Sequence, residues 1–327
     1  MNTAQNINTI SRHEVNDATP HQLDEFVGQK RVVDQLKVAL QAARNDNHRL
    51  PPILFVGPAG VGKTQLAHIL AREMESEIHE QLGHNLTVET LRGFLMESKS
   101  KEIAFIDEIH LLKRKEQSVL FRAMDERLII LGSANRRQCR VPLENFTLIG
   151  ATTDLHCLRP PLISRFRMTL FFDFYSEEEL TSLLKIRGGL LGWQVEDECI
   201  YGQIACRARG IPRIALSIME GVWRVARSRN RFIIRVDDLG EACRLEGLDD
   251  RGLGQHERKY LKILNYYREP VRLNVIATRV GLAPQTVSTN IESFLLRIGL
   301  INKLKDGRMI TDDGLQHLAS TCEGNLK

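Results

Sequence analysis

A glycine-rich octapeptide contains the residues of this sequence with the clearest chemistry. It reads Gly57-Pro58-Ala59-Gly60-Val61-Gly62-Lys63-Thr64 and matches the phosphate-loop pattern G-x-x-x-x-G-K-[ST]. Glycines let a backbone curl so that its N–H groups surround phosphates, while the lysine supplies charge and the hydroxyl supplies an oxygen for Mg²⁺. The motif predicts a nucleotide site in which Gly57, Gly60, Gly62, Lys63 and Thr64 hold the phosphates, with Thr64 also binding magnesium.

An acidic pair about forty residues later suits the same chemistry. The apolar run at 103–106 reads as a strand, and Asp107 and Glu108 follow it directly. The carboxyl ends of strands are where α/β sheets bind ligands. We therefore predict that Asp107 holds Mg²⁺ and that Glu108 orients and deprotonates the attacking water. Without the phosphate loop, such a pair would be equally typical of a solvated strand end.

The elements that must position these residues alternate along the first half of the chain. Continuously apolar runs, which are typical of strands buried on both faces, alternate with helical patterns. The strand-like runs lie at 53–56, 103–106, 146–151 and 168–172, and a helical pattern lies at 65–74. The alternation predicts an α/β fold with a central parallel sheet covered by helices.

The second half of the chain has a helical period. Helices are predicted at 177–191, 198–209, 213–228 and 236–246, with a short strand at 232–234. After a glycine- and charge-rich segment at 248–254, helices follow at 255–267, 274–280 and 284–298, and then two short strands. Three helices with a terminal hairpin indicate a winged helix. The predicted division is a flexible tail (1–19), a nucleotide-binding α/β domain (20–173), a helical lid (174–248) and a winged helix (249–327).

Composition excludes several protein classes. Hydrophobic residues make up 43% of the 327 residues and charged residues 26%, which excludes fibrous and disordered chains. No run approaches the ~20 apolar residues of a membrane span, and the first twenty residues lack the blocks of a signal peptide, so we expect a cytoplasmic protein. The six cysteines show neither a C-x-x-C pair nor zinc-ligand spacing, and we expect reduced thiols.

Charge is unevenly distributed along the chain. Residues 251–327 hold 12 Lys and Arg against 7 Asp and Glu, whereas residues 1–250 hold 33 against 34. A basic terminal module on a nearly neutral body suggests binding to a polyanion such as DNA.

The ordered motifs resemble those of AAA+ ATPases and, among them, the RuvB family of Holliday-junction branch-migration motors. The resemblance covers about residues 20–320 and includes the phosphate loop and the segment Asp107–His110, which contains the acidic pair. The other matching segments are residues 23–29, 146–153, 164–166, 174–180, 210–213 and 306–308. The resemblance implies an AAA+ fold and an ATP-hydrolysing DNA helicase that acts in recombination and repair. It also implies a homo-oligomeric ring, a hexamer in the family, acting on double-stranded DNA and four-way junctions.

The resemblance also assigns individual residues. Thr153 corresponds to sensor 1, with Thr152 as the weaker candidate, and Arg165 corresponds to an arginine finger that acts on a neighbouring subunit's ATP. Arg213 corresponds to sensor 2 on the lid. The adenine pocket would consist of Phe26, Val27, Tyr175 and Pro212. Read without the motif, Tyr175 is equally an ordinary core residue, and single arginines are most often surface residues.

The sequence departs from the family at three sites. Thr19 precedes Pro20 where the family usually has an arginine. Ile163 and Arg167 stand where the family has an arginine and a glycine around the finger, although Arg165 itself remains. Between Met124 and Phe146, where the family carries a β-hairpin with an apolar edge that docks on the RuvA partner, the stretch is shorter and its tip at 133–138 is polar. Docking of a RuvA-type partner therefore stays open. The tip reads as a solvated turn or as a phosphate contact.

Two basic clusters remain to be assigned. Arginines gather in the lid at positions 207, 209, 213, 224, 227, 229, 231 and 235, either as a face toward nucleic acid or a neighbouring subunit, or as surface side chains. At the turn of the predicted wing, Lys303, Lys305 and Arg308 are expected to contact DNA, the alternative being a structural wing with incidental charges.

A nucleotide-gated DNA switch or loader without processive movement is the alternative function of the protein, and a protein remodeller is a third.

Overall fold

The computed structural model describes residues 19–131 and 139–323, with side chains as far as Ser320, in two compact units. Unit 1 contains the residues up to Leu183 together with Ile211–Arg213. Unit 2 contains Leu184–Gly210 and the residues from Ile214 onward, so it includes most of the predicted lid and the whole of the described winged helix. Almost all of the predicted tail, and the predicted hairpin tip, lie outside the described residues.

A five-stranded parallel sheet forms the centre of unit 1, as predicted. Its strand order is β2-β3-β6-β1-β7, and every pair of neighbours is parallel. The strands are β1 (Ile53–Val56), β2 (Ile78–Leu82), β3 (Ile103–Asp107), β6 (Thr147–Thr152) and β7 (Met168–Phe171). The order places β1, β3 and β6 in the interior of the sheet and brings their carboxyl ends to one edge.

Burial explains which strands the sequence predicts. Every residue of β1 and of β6 is buried, because both strands have neighbours on either side and helices on their faces. The edge strand β2 has the sequence IHEQL and is half-exposed or exposed throughout. It carries no continuous apolar run, and for that reason it was not predicted.

Helices cover the sheet of unit 1. They are α1 (Lys30–Asn45), α2 (Lys63–Glu73), α3 (Val88–Glu97), α4 (Arg114–Glu126), the short α5 (Pro160–Ile163) and the start of α6 (Glu177–Leu191). In α1 the buried residues Val32, Val33, Leu36 and Leu40 lie on one face at helical spacing. After α4, β4 (Leu128–Leu131) pairs antiparallel with β5 (Cys139–Pro142), so the hairpin implied by the family resemblance is present.

The first part of unit 2 is helical. It contains the end of α6, then α7 (Cys199–Arg207), α8 (Pro212–Ser228) and α9 (Val236–Glu246). Two short strands, β8 (Gln194–Val195) and β9 (Ile233–Ile234), pair beside them. Trp193 and Trp223 stack with ring centroids 4.9 Å apart, which contributes a large apolar area to this core.

The last part of unit 2 has the predicted winged helix and one further helix. It contains α10 (Gln255–Tyr267), α11 (Leu273–Val280), a helix in three parts, and the antiparallel strands β10 (Ile301–Lys303) and β11 (Arg308–Ile310). The three parts are α12 (Pro284–Thr286), a π-helical segment (Val287–Glu292) and α13 (Ser293–Arg297). The helix α14 (Asp312–Glu323), which follows the hairpin, was not predicted from the sequence. Among the described residues, no helix is long and apolar enough to cross a membrane.

Candidate active site

The phosphate loop lies between β1 and α2, where the sequence predicts it. Gly60 and Gly62 have φ angles of 79° and 101°, which side chains rarely adopt. A Cβ added to Gly60 would lie 2.9 Å from Cγ2 of Ile211, and one added to Gly62 would lie 3.0 Å from Cζ of Phe26. Both positions therefore require glycine for conformation and for space.

Lys63 is held inside the loop. It is only 5% exposed, and its ammonium donates hydrogen bonds to the carbonyl oxygens of Gly57 and Pro58, each over 2.7 Å. Burial lowers the pKa of Lys63, while the charges of Glu108 and Asp107 act in the opposite direction. The ammonium is thus oriented by the loop that surrounds a phosphate in proteins of this motif.

Thr64 and Asp107 supply a matched pair of oxygens. The Thr64 hydroxyl donates to Oδ2 of Asp107 over 2.9 Å, although 43 residues separate the two along the chain. The other carboxylate oxygen, Oδ1, accepts the backbone N–H of Glu108, also over 2.9 Å. Mg²⁺ prefers hydroxyl, carboxylate and phosphate oxygens, so the donor set fits that ion.

Glu108 is placed by an unusual backbone turn. Its φ and ψ are both 47°, a left-handed conformation that is rare for a residue with a side chain. Oε2 of Glu108 accepts a hydrogen bond from the Thr153 hydroxyl over 3.1 Å and lies 3.1 Å from Nδ1 of His110. Strain of this kind often marks a functional site, where the surrounding structure must hold it in place.

The two adjacent threonines at the end of β6, Thr152 and Thr153, have different surroundings. Thr152 is fully buried, and its hydroxyl donates to the Asp154 carbonyl, accepts the Asp154 N–H and lies 3.2 Å from Nδ1 of His110. Thr153 is exposed and contacts the Glu108 carboxylate. Only the hydroxyl of Thr153 is seen to bond to the Glu108 carboxylate, and its assignment as sensor 1 stays a prediction.

Aromatic side chains meet beside the start of α2. A Cβ added to Gly62 would lie 3.0 Å from Phe26 and 3.9 Å from the Tyr175 hydroxyl, so both rings lie against this glycine. The Tyr175 hydroxyl donates to the Val61 carbonyl over 3.3 Å, and burial raises the pKa of Tyr175. Gly28 gives the Tyr175 ring its space, because an added Cβ would lie 2.4 Å from it. Phe26 and Tyr175 are therefore brought together next to the phosphate loop.

The segment at the start of α8 contacts the loop. The Arg213 N–H donates to the Gly60 carbonyl over 3.3 Å, and a Cβ on Gly60 would lie 3.1 Å from Cβ of Arg213. Pro212 is buried between Arg213 and Ile211 in the chain. Ile211, which lies against Gly60 of the loop, was not among the predicted site residues.

Arg165 makes its contacts away from the phosphate loop. Its Nε lies 2.9 Å from Oδ1 of Asp125, and its guanidinium carbon lies 5.0 Å from the centre of the Phe121 ring. Both partners belong to α4. The structure thus places Lys63, Thr64, Asp107, Glu108 and Thr153 at one edge of the sheet and gives Arg165 different neighbours.

In the winged helix, the three predicted DNA-contacting residues differ in environment. Lys303 and Lys305 are exposed on either side of Leu304 at the end of β10. Arg308 is turned inward: its Nε lies 3.1 Å from both carboxylate oxygens of Glu292, and its side chain is 15% exposed. Glu292 is 1% exposed, so this pair joins the π-helical segment to the wing from inside. The DNA contact expected of Arg308 stays a prediction, and the structure adds the internal pairing of this residue with Glu292.

Most of the lid arginines are paired inside unit 2. Asp238 is fully buried and accepts hydrogen bonds from Arg229, Arg231 and the Arg235 N–H. The Arg209 guanidinium donates to the Gly252 carbonyl and to Glu257, 2.8 Å away, and lies over the Phe294 ring. These partners could not be predicted from the sequence, because they lie on other elements.

Protein-family models and known proteins match most of this chain. The Holliday junction DNA helicase RuvB P-loop domain matches residues 18–171, and the RuvB C-terminal winged helix domain matches residues 250–319. A Holliday junction branch migration complex subunit RuvB from Kosmotoga olearia is 36% identical over 305 residues, which are 91% of this chain and 89% of the relative. The chain belongs to the RuvB family. The Thermotoga maritima RuvB subunit is 35% identical over 305 residues, 91% of each chain.

Solved RuvB structures have the same fold. A Thermotoga maritima structure described as the RuvB Holliday junction branch migration motor superposes with a TM-score of 0.81 at 33% identity, covering 92% of this chain and 98% of that one. A mutant of the same protein gives a TM-score of 0.82 over the same fractions. The family resemblance and the fold with a P-loop domain and a winged helix are therefore confirmed for this RuvB-family chain.

Proposed function

We propose that this chain is the ATP-hydrolysing subunit of a homo-oligomeric ring that drives branch migration of Holliday junctions. The observation that carries the proposal is the convergence of Lys63, the Thr64–Asp107 pair and the Glu108–Thr153 pair at one edge of the sheet. This arrangement supplies positive charge, a cation site and a base for cleaving a terminal phosphate. The RuvB relatives, whose names state branch migration, indicate the substrate.

Each residue of the site has one task in the reaction. Lys63 binds the β- and γ-phosphates after its ammonium leaves the Gly57 and Pro58 carbonyls. Thr64 and Asp107 hold Mg²⁺, which when bound neutralises charge on the phosphates. Glu108 accepts a proton from the attacking water, and the hydroxyl of Thr153 fixes the carboxylate.

We assign adenine binding and the sensor function to residues beside the phosphate loop. The rings of Phe26 and Tyr175, which lie against Gly62, hold the base together with Val27 and Pro212. Arg213, whose backbone bonds to Gly60, extends its charge toward the phosphates. Nucleotide binding would thereby set the position of the residues at the start of α8.

Arg165 completes the site of the next subunit. Its contacts with Asp125 and Phe121 place it outside the set of residues around Lys63. An arginine supplied in trans stabilises charge that develops in the transition state and contributes about 10³–10⁵ in rate. The proposal therefore requires an oligomer. In a ring, every subunit supplies Arg165 to one neighbour and receives the Arg165 of the other neighbour.

The winged helix binds the duplex through its exposed lysines. We assign phosphate contacts to Lys303 and Lys305, and we assign to Arg308 the support of the wing through Glu292. A RuvA-type partner is not part of this assignment, since the hairpin tip lies outside the described residues.

Glu108→Gln tests the proposal. The substitution keeps the size of the side chain and removes the base, so ATP turnover should fall at least about 100-fold while nucleotide affinity is retained. Equilibrium binding of a fluorescent ATP analogue and phosphate release measure the two quantities. Undiminished turnover would refute the role of Glu108.

A junction assay separates a motor from the alternative switch. Four-way junction DNA is incubated with the wild-type chain, with and without a RuvA-type partner, in ATP or in a non-hydrolysable analogue. Strand separation that requires hydrolysis supports the motor. Retention on DNA that needs only bound ATP supports a nucleotide-gated switch, the alternative raised by Ile163 and the altered hairpin.

A further inference from the structure

We propose that Asp125 and Phe121 are positioning residues for Arg165 and hold its guanidinium ready for a neighbouring subunit's ATP. The inference rests on the proposed function, because it requires Arg165 to act in trans. It goes beyond that function in naming the two side chains of this chain that determine how the finger is presented.

The contacts of Arg165 cover one part of its guanidinium. Oδ1 of Asp125 lies 2.9 Å from Nε, and the Phe121 ring lies against one face with 5.0 Å between guanidinium carbon and ring centre. Nε is buried and makes no hydrogen bond among the described residues, so its contact with Asp125 is an ion pair, yet 40% of the whole side chain is exposed. The exposed part of the side chain is therefore not Nε. Two terminal amino groups remain on the guanidinium, and these are the donors that a γ-phosphate accepts in a forked contact.

The helix that carries both partners is firmly fixed. The side chain of Gln117, which is 4% exposed, donates to the carbonyls of Leu112 and Cys157 and accepts the N–H of Arg159. These bonds tie α4 to the segment that leads into α5 and the finger. Leu120 and Ala123 are buried on the core side of α4, one residue before Phe121 and two residues before Asp125 respectively.

The backbone at the finger is fixed as well. The Arg165 N–H donates to the Leu162 carbonyl over 3.1 Å, and Phe166 is 6% exposed in the core. An arginine side chain has four rotatable bonds, so a fixed backbone alone does not orient its guanidinium. Asp125 and Phe121 supply that orientation, and a correctly oriented group reaches the transition state with a smaller loss of freedom.

Asp125→Asn is the first test, with Glu126→Gln as the matched control. Glu126 is the next residue on the same exposed turn and pairs with Arg122, so its substitution removes an equal charge away from the finger. We expect Asp125→Asn to lower kcat by about tenfold, with KM for ATP within about twofold. Glu126→Gln should match the wild type in both. Phe121→Leu, which removes the ring but keeps an apolar side chain, should lower kcat in the same way.

Mixed oligomers show whether the effect acts across subunits. Glu108→Gln chains have no turnover of their own but offer an intact finger, whereas Asp125→Asn chains keep their acids and offer a disturbed finger. Mixing the two at increasing ratios should raise turnover per Asp125→Asn chain toward the wild-type value. Damage to the variant's own site, or to its folding, would not be corrected by a neighbour.

Arg165→Ala distinguishes failure of the inference from failure of the proposed function. If Arg165→Ala lowers turnover strongly while Asp125→Asn and Phe121→Leu keep wild-type kcat, the positioning role is overturned and the trans finger stands. If Arg165→Ala itself leaves turnover unchanged, the proposed function fails at this residue. Absence of recovery in the mixed oligomers, with kcat of Asp125→Asn reduced, would also overturn the positioning role.

Discussion

The hydroxyl of Thr153 donates a hydrogen bond to Oε2 of Glu108 over 3.1 Å. Glu108 directly follows β3, and Thr153 directly follows β6. Because β3 and β6 are neighbours in the sheet, their carboxyl ends bring these two side chains together. The carboxylate that is proposed to activate water is thus oriented by a donor from the adjacent strand.

Thr153→Val should lower kcat while leaving nucleotide affinity nearly unchanged. Valine has the same shape, so the change removes only the donor that orients Glu108, and we expect a fall of about tenfold to a hundredfold. Steady-state phosphate release and ATP-analogue binding measure the two quantities. Thr181→Val is the control, because the Thr181 hydroxyl bonds to the Glu177 carbonyl within its own helix. Equal kcat for Thr153→Val and the control would contradict the assignment.

Gly83→Ala should impair turnover through the backbone of Glu108. An added Cβ would lie 2.4 Å from the Glu108 carbonyl oxygen, a distance that requires the strained turn at Glu108 to shift. We expect kcat to fall by at least about tenfold. Gly93→Ala is the matched control, since nothing lies within 4 Å of its added Cβ in α3. That variant should be more stable by about 0.5–1 kcal/mol, because alanine favours helix. Wild-type turnover in Gly83→Ala would show that the turn adapts without consequence.

Asp238→Asn should destabilise the lid helices in a pH-dependent way. Burial opposes ionisation of Asp238, but hydrogen bonds from Arg231 and from the Arg235 N–H, with the charge of Arg229, keep its pKa below the usual value. Breaking such a buried pair typically costs about 3–5 kcal/mol. A carboxyl with a depressed folded pKa stabilises above its unfolded pKa, about 3.9, and loses that contribution as pH falls through the folded pKa.

Urea denaturation at several pH values measures this difference. The gap in free energy of unfolding between wild type and Asp238→Asn should be largest near pH 7 and shrink as the pH falls below about 4. Asp237→Asn, an exposed neighbour on α9, should change stability by about 0.5 kcal/mol at most. A gap that stays constant down to pH 2 would show that the charge of Asp238 is not its source.

The three basic residues of the wing should separate into two classes. Lys303→Ala and Lys305→Ala should each reduce the slope of log affinity for duplex DNA against log salt by about 1, because each phosphate contact releases a counterion. Arg308→Ala should instead lower the free energy of unfolding by about 3–5 kcal/mol, since it leaves Glu292 buried without its partner. Binding by fluorescence anisotropy across a salt series and urea denaturation measure the two effects. A reduced salt slope for Arg308→Ala at full stability would restore its expected DNA contact.

Local signals in the sequence were enough to predict much of this structure. The phosphate loop, the acids after β3 and the interior strands each depend on a short run of residue types, and α6, α9 and α10 have the predicted bounds. The strand β2 was not predicted, because an edge strand with the sequence IHEQL has no apolar run. The helix α14 lies inside the range predicted for the winged helix, 249–327, but no helix was predicted after the wing.

Residues whose importance depends on distant partners could not be predicted. Gly83 matters because it lies against the carbonyl of Glu108, and Ile211 because it lies against Gly60. The inward position of Arg308 depends on Glu292, which a π-helical segment sixteen residues away turns into the core. No spacing rule links such pairs, since the fold alone brings them together.

The two main-chain oxygens that hold the Lys63 ammonium have a consequence for how the loop selects its ligand. An incoming phosphate does not meet a free cation but competes with the carbonyls of Gly57 and Pro58, so binding is an exchange of acceptors. Small anions with a single contact gain little from that exchange. A polyphosphate that also engages the backbone amides gains from several contacts at once, and we therefore expect the loop to bind ATP in preference to the inorganic phosphate that hydrolysis releases.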